Sequence, residues 1–154
     1  MSIWTHVLGV IRFDSMALNC WPVPTNQNEI LDEQLNLINV QFQSHIPDGS
    51  EGPLDVKIFI TDRGPTVTIT GDLRDFGVGN IEEIFNWVAN NCTSIKEKVK
   101  SMIHPMWLRD CCIKCEVEYN EDTILIEDDY DSENHNHIIV MNTYSKVKNE
   151  KVQN

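Results

Sequence analysis

The period of the hydrophobic pattern changes repeatedly along this chain, and the order of those changes constrains the fold more than any other feature. Apolar side chains that recur at every second residue predict a half-buried strand, and those that recur at every third or fourth residue predict an amphipathic helix. The longest helical stripe begins after Asn80 and ends before Pro105, which cannot continue a helix. The predicted elements are strands over 4–13, 54–61, 66–73 and 111–119, helices over 28–42 and 81–102, and two short strands over 123–126 and 137–141.

The element order β-α-β-β-α-β is typical of the ferredoxin-like arrangement. We therefore expect an α+β fold in which an antiparallel sheet carries both helices on one face, with a C-terminal β extension. A chain of 154 residues suits one domain, which we assign to residues 1–144. Residues 145–154 are polar and are expected to form a frayed tail.

Chain direction in this arrangement brings two distant loops together. Because strands and helices alternate in direction, the loops over 43–53 and 71–80 should meet at one end of the sheet, beside the start of the second helix. Arg74 lies in this region, and two interpretations are open: it holds the loops together by pairing with a carboxylate, or it stays free to bind an anion. The predicted ligand- or partner-binding residues are Ser50, Glu51, Asp72, Arg74, Asp75 and Asn80.

Acidic side chains outnumber basic ones by 24 to 12, which gives a formal net charge of −12. A surface of this charge repels nucleic acid and anionic membranes, because phosphate binding needs clustered Lys and Arg. It favours a protein partner with a basic surface. The segment 116–133 contains nine acidic residues and no Lys or Arg, and we predict an acidic partner surface there, at Asp128, Asp129, Asp131 and Glu133.

The five cysteines do not resemble a secreted disulfide framework, because their number is odd and two of them are adjacent. This usage indicates a reducing cytoplasm, and no apolar stretch approaches the roughly 20 residues of a membrane span. Cys112 and Cys115 have the spacing of a zinc pair, but an odd offset on a strand points them to opposite faces. We therefore expect Cys111 and Cys115 in the core, and no zinc site.

The acidic segment has the beginning of a calcium-loop pattern and lacks the rest of it. Asp129, Asp131 and Glu133 have the right spacing, but Asn134 stands where glycine is needed and Val140 where a bidentate glutamate is needed. No metal or cofactor is therefore predicted. The sequence shows no nucleophile associated with a histidine base, and we expect a protein that is not an enzyme.

Two stretches, IPDGSEG at 46–52 and GDLRDFG at 71–77, together with the opening Trp4-Thr5-His6, resemble small uncharacterised accessory proteins of tailed bacteriophages. The resemblance covers about the first 80 residues and carries over no catalytic residue. It implies a bacterial-cell setting and a role in host takeover or defence evasion, with a minor virion component as a further possibility.

Charge, the missing catalytic pattern and this resemblance together favour one function. We expect a non-catalytic acidic binding protein, phage-encoded and cytoplasmic in the bacterial host, that inhibits or redirects a host protein with a basic surface. The alternative is a small-ligand binder that sequesters a phosphorylated or nucleotide metabolite at the 43–53/71–80 end, with Arg74 as the anion clamp. An unpaired edge strand also permits a homodimer.

Overall fold

The first strand, β1 (Trp4–Ser15), lies inside a six-stranded sheet and is hydrogen-bonded to a neighbour on each side. The computed structural model describes residues 2–119, 121–131 and 136–145. The further strands are β2 (Asp48–Gly49), β3 (Gly52–Pro53), β4 (Asp55–Ile60), β5 (Pro65–Arg74), β6 (Met106–Tyr119), β7 (Asp122–Asp131) and β8 (Asn136–Ser145). The helices are α1 (Met16–Asn19), α2 (Gln27–Phe42) and α3 (Ile81–Val99), and a 3-10 turn at Val78–Asn80 precedes α3.

The strand order in the sheet is β4-β5-β1-β6-β7-β8, and each neighbouring pair is antiparallel. β2 and β3 form a separate two-stranded hairpin. The mixed class and the antiparallel sheet that the pattern predicts are confirmed. The strand order differs from that of a four-stranded ferredoxin-like sheet, because β7 and β8 pair beyond β6 and extend the sheet by two strands.

The pattern predicts a strand that stops at Ile126 with an acidic loop beyond it, and this boundary is wrong. β7 continues to Asp131, and its backbone pairs with β6 on one side and β8 on the other. A strand of consecutive acidic residues lacks the alternation of apolar side chains by which strands are predicted. Its backbone can still pair with two neighbouring strands. β8 is likewise longer than the predicted 137–141, and residues 146–154 of the predicted tail lie outside the described residues.

Both long helices cover the same face of the sheet. One continuous core joins Ile38 of α2 and Val88 of α3 to inward-facing residues of three strands, Ile11, Val67 and Ile113. The predicted stripe of α3 is confirmed, since its residues from Ile81 to Val99 at helical spacing are buried. None of the helices in the described part of the chain combines the length and apolarity that crossing a membrane requires.

The stripe of α2 differs from the prediction at one position. Gln34 is fully buried, whereas Leu35 is only partly buried. The Gln34 side chain donates a hydrogen bond of 3.0 Å from Nε2 to the carbonyl oxygen of His104. A buried amide needs such a partner, and the bond attaches α2 to the segment that leads into β6.

Trp87 lies in the core and attaches α3 to the end of α2. Its ring meets that of Phe42 edge to face, with the centroids 5.5 Å apart. Its indole Nε1 donates a 2.9 Å hydrogen bond to the carbonyl oxygen of Ser44. Ser44 is at the start of the 43–53 loop, so this contact sets where that loop leaves the helix layer.

The end of the sheet away from the 43–53 loop is held by the turn between β4 and β5. Arg63 in this turn donates a 2.9 Å bond to the Asp14 carboxylate, whose side chain is 5% exposed. Gly64 has φ +157°, and a Cβ there would lie 2.2 Å from the carbonyl oxygen of Phe13. Only glycine allows the turn to approach β1 so closely.

We expect the contact between α2 and α3 to dominate the stability of the helix layer. Phe42 is completely buried, so Phe42→Ala should lower the free energy of unfolding by about 3 to 5 kcal/mol, through lost transfer energy and a cavity. The matched control is Val40→Ala on the same helix, which alters a side chain that is 54% exposed and should change stability by about 0.5 kcal/mol or less. Urea unfolding measures the free energy of unfolding of both variants. Small and equal losses in the two would contradict this packing.

Candidate functional site

The two distant loops meet at the end of the sheet where β1 begins, as the sequence predicts. The Ser50 amide donates a 3.0 Å hydrogen bond to the carbonyl oxygen of Arg74, and the Ser50 hydroxyl donates a 2.7 Å bond to the Asp75 carboxylate. A Cβ at Gly49 would lie 2.8 Å from both the backbone nitrogen and the backbone oxygen of Arg74. The loops therefore touch through their backbones, which needs a residue without a side chain at this point.

Asp75 is held in a conformation that few residues adopt. Its φ of +58° lies in the left-handed region, which aspartate tolerates better than most non-glycine residues. Its amide donates a 2.7 Å bond to the carbonyl oxygen of Ile3, and its carboxylate accepts the bond from Ser50. The loop after β5 is thus fastened both to the chain before β1 and to the 43–53 loop.

The guanidinium of Arg74 is engaged on several sides. Nη1 lies 2.6 Å from Glu51 Oε1, and Nε donates a 3.0 Å bond to the Ser2 hydroxyl. The group also lies over the Trp4 ring, 6.0 Å from its centroid. Of the carboxylates of Glu51, Asp72 and Asp75, the one that Arg74 contacts is that of Glu51. Arg74 is thus a brace, because it joins the loop after β5 to the 43–53 loop and to the N-terminal segment.

Asp72 contacts a histidine on β1. It lies opposite His6 in the β1–β5 register, and its Oδ1 is 2.5 Å from His6 Nδ1. The other ring nitrogen, Nε2, is 3.4 Å from Oε1 of Glu118 on β6. Only the protonated imidazolium can donate from both nitrogens. The hydrogen bond to Asp72 is the main cause that raises the pKa of His6, Glu118 adds to it, and partial burial opposes both.

Sequence reasoning missed His6 because its role depends on register. Alternation places His6 on the exposed face of β1, but nothing in the sequence says which residues of β5 and β6 lie beside it. Asn80, by contrast, bonds within its own segment: its Oδ1 accepts a 3.3 Å bond from the Gly77 amide. Its side chain does not cap α3, although α3 begins directly after it.

Asp128 is not part of an acidic surface, because its side chain is only 3% exposed. It lies opposite Ile113 in the β6–β7 register, on the face that the helices cover. A stretch of consecutive acids in a strand must place alternate side chains on each face, and the sequence prediction did not allow for this. The side chains of Asp129 and Asp131, and all of Glu133, lie outside the described residues.

The cysteines follow the expected alternation. Cys111 and Cys115 are buried whereas Cys112 is exposed on the opposite face, so the zinc-like pair does not converge. Burial raises the pKa of Cys115 to about 12, and a hydrogen bond with Cys92, together with burial, raises that of Cys111. Within the described ranges, no three or more His, Cys, Asp or Glu side chains are grouped so that they could hold a metal ion.

No protein-family model, curated protein or solved structure matches this chain. The site is therefore interpreted from its own geometry.

Arg74→Ala should destabilise the fold by about 1 kcal/mol, because it removes a partly exposed ion pair and a contact with an aromatic face. Arg12→Ala is the matched control, since it removes the same charge from a side chain that lies as far as 3.9 Å from the Asp110 carboxylate. That change should cost less than about 0.5 kcal/mol. Urea unfolding measures the stability of both variants. Equal losses in the free energy of unfolding would contradict the role of Arg74 as a brace.

The His6 contacts should make stability depend on pH. The pKa of His6 is above 6.5 in the folded protein, so its contribution is fully present below about pH 6.5 and is lost as pH rises through the folded value. His6→Gln should remove this dependence. NMR titration should also show a lower His6 pKa in Asp72→Asn than in Glu118→Gln, since Asp72 is the stronger influence. A stability difference between wild type and His6→Gln that stays constant from about pH 5 to 8 would refute this assignment.

Proposed function

We propose that this chain is a non-catalytic acidic binding protein, encoded by a bacteriophage, that acts in the host cytoplasm by inhibiting or redirecting a host protein with a basic surface. The observation that carries the proposal is the uneven distribution of charge between the two ends of the sheet. Among the residues that the structure describes, acidic groups gather at the end where the two loops meet, and the Lys and Arg side chains other than Arg74 lie elsewhere.

The acidic end is defined by the loops, the first turn of α3, the end of β6 and the start of β7. Arg74 is its only Lys or Arg among the described residues, and its guanidinium is paired with Glu51. Because such an end has little positive charge to cancel its field, it attracts cationic groups. Its acidic residues are Asp48, Glu51, Asp72, Asp75, Glu82, Glu83, Glu116, Glu118, Glu121 and Asp122.

The opposite end has both signs of charge in contact with each other. Arg63 pairs with Asp14 at 2.9 Å, and Lys100 pairs with Glu97 at 2.9 Å. At distances much larger than their separation, the fields of two close charges of opposite sign largely cancel each other. Among the described residues, the negative charge that is not paired therefore lies mainly at the acidic end, and its field would orient a basic partner toward that end.

We further propose that the four strands β4-β5-β1-β6, with α2 and α3, correspond to a ferredoxin-like unit to which β7 and β8 are added. The four strands have the antiparallel pairing of that arrangement, and both helices pack on one face. This fold supports many unrelated functions and implies none by itself.

The rival proposal, sequestration of a phosphorylated metabolite, would require Arg74 to exchange Glu51 for an anion. The present contacts of Arg74 favour its role as a brace. The two proposals separate in a thermal-shift assay with nucleotides, since a ligand at a hundredfold excess over its Kd would stabilise the fold by about 2.7 kcal/mol.

Two triple variants of equal net charge test the acidic end. Glu82→Gln/Glu83→Gln/Glu121→Gln neutralises three exposed groups there, and Asp32→Asn/Glu33→Gln/Asp62→Asn neutralises three exposed groups elsewhere. Immobilised wild type should retain basic proteins from a bacterial extract. The first variant should retain at least about fivefold less of them and the second nearly as much as wild type, because local rather than total charge steers binding.

Thermal unfolding of both triple variants must first show that each is folded. Equal retention by the two variants would mean that only the total charge matters, and the acidic end would then have no special role.

A further inference from the structure

The face of the sheet that the helices leave uncovered, here called the open face, has an apolar side chain at its centre. Leu8 points outward from β1, the strand with β5 on one side and β6 on the other, and is 59% exposed. Its cross-strand neighbours are Thr70 and Lys114. Val10, two residues along β1, is partly buried on the same face. A sheet face without a second layer is commonly polar, so a leucine so exposed at its centre needs an explanation.

Acidic side chains border this centre on one side, toward the start of β1, where His6 lies between Asp72 and Glu118. Glu116 and Glu118 are exposed on β6, and Asp72 lies across β1 from them. The positive charge of Lys114 is already paired with Glu127, at 3.3 Å. The open face therefore has an apolar centre that is bordered by acidic groups toward the start of β1. An apolar centre beside polar groups is the general pattern of protein interfaces.

The dimensions of the open face suit a helix. Neighbouring strands lie about 4.8 Å apart, so the distance from β5 across β1 to β6 is roughly 10 Å. An α-helix with its side chains is about 10 to 12 Å across. One helix laid over β1 would thus cover Leu8 and place side chains from its two flanks against β5 and β6.

We propose that the open face docks an amphipathic basic helix of the partner protein, whose apolar stripe covers Leu8 and whose Lys or Arg side chains meet Glu116, Glu118 and Asp72. This inference rests on the proposed function, since it names the segment of the basic partner that is bound. Charge argues against a second copy of this chain as the occupant, because a copy would bring its own acids, at a net charge of −12, against the same face.

The probe is a synthetic 14-residue peptide of Leu and Lys, ordered so that the leucines form one helical face. A peptide of the same composition in scrambled order serves as its control. Binding is measured by fluorescence anisotropy of the labelled peptides with wild type, Leu8→Thr and Val40→Thr. Threonine suits a strand, and Val40 is a matched apolar position on α2 that is 54% exposed.

We expect the amphipathic peptide to bind wild type at least about fivefold more tightly than the scrambled peptide does. Leu8→Thr should weaken its binding about fivefold or more, and Val40→Thr should change it less than about twofold. In ¹⁵N spectra of wild type, the peptide should shift amide signals of β1, β5 and β6 more than those of the α2 and α3 surfaces. This last measurement needs no substitution, so it tests the proposal even if Leu8→Thr fails to fold.

Equal affinity of wild type and Leu8→Thr, or amide shifts confined to the 43–53 and 71–80 loops, would overturn docking on the open face. Suppose that, in addition, the two peptides bound wild type equally well and Glu82→Gln/Glu83→Gln/Glu121→Gln bound neither of them. The proposed function would then stand without this inference. If that variant bound normally while Leu8→Thr did not, docking on the open face would stand and the steering role of the acidic end would fall.

Discussion

The pairing of β1 on both sides is the interaction on which the rest of the structure depends. Residues 4–12 of this strand pair with both β5 and β6, and their inward side chains form the middle of the core under α2 and α3. The same register sets His6 beside Asp72 and Glu118, and Leu8 at the centre of the open face. A slip of one residue would exchange the two faces of β1 and remove both features at once.

The acidic end and the open face are adjacent parts of one surface. His6 connects them, because it lies two residues from Leu8 on the same face and contacts acidic groups from the strands on both sides. Its protonation would offset part of the negative charge there, which couples the charge of the surface to pH. Loop contacts through Ser50, Asp75 and Arg74 keep the neighbouring backbone in place. In this view the loops support the proposed binding surface, whereas the sequence alone suggested that they formed the site.

Several features follow from local pattern because they depend on neighbouring residues in the sequence. The stripe of α3 and the alternation that separates Cys112 from Cys115 belong to this group. The meeting of the two loops follows instead from the order and direction of the predicted elements. The predictions that were wrong concern residues whose contacts lie far away in the sequence. Gln34 is buried because the His104 carbonyl lies beside it, and Asp128 is buried because β7 continues under the helix layer. Hydropathy assigns both residues to the surface, since it contains no information about distant partners.

The sequence by itself determined the mixed α+β class, the positions of most strands and helices, and the acidic character of the chain. These properties are set by period and composition, which are local quantities. Tertiary structure decided the order of six strands in the sheet, the pairing of Arg74 with Glu51 in preference to Asp72, and the contact between His6 and Asp72. The physical reason is that register and strand order depend on which distant backbone groups meet, and many arrangements satisfy the same local pattern until the whole core is packed.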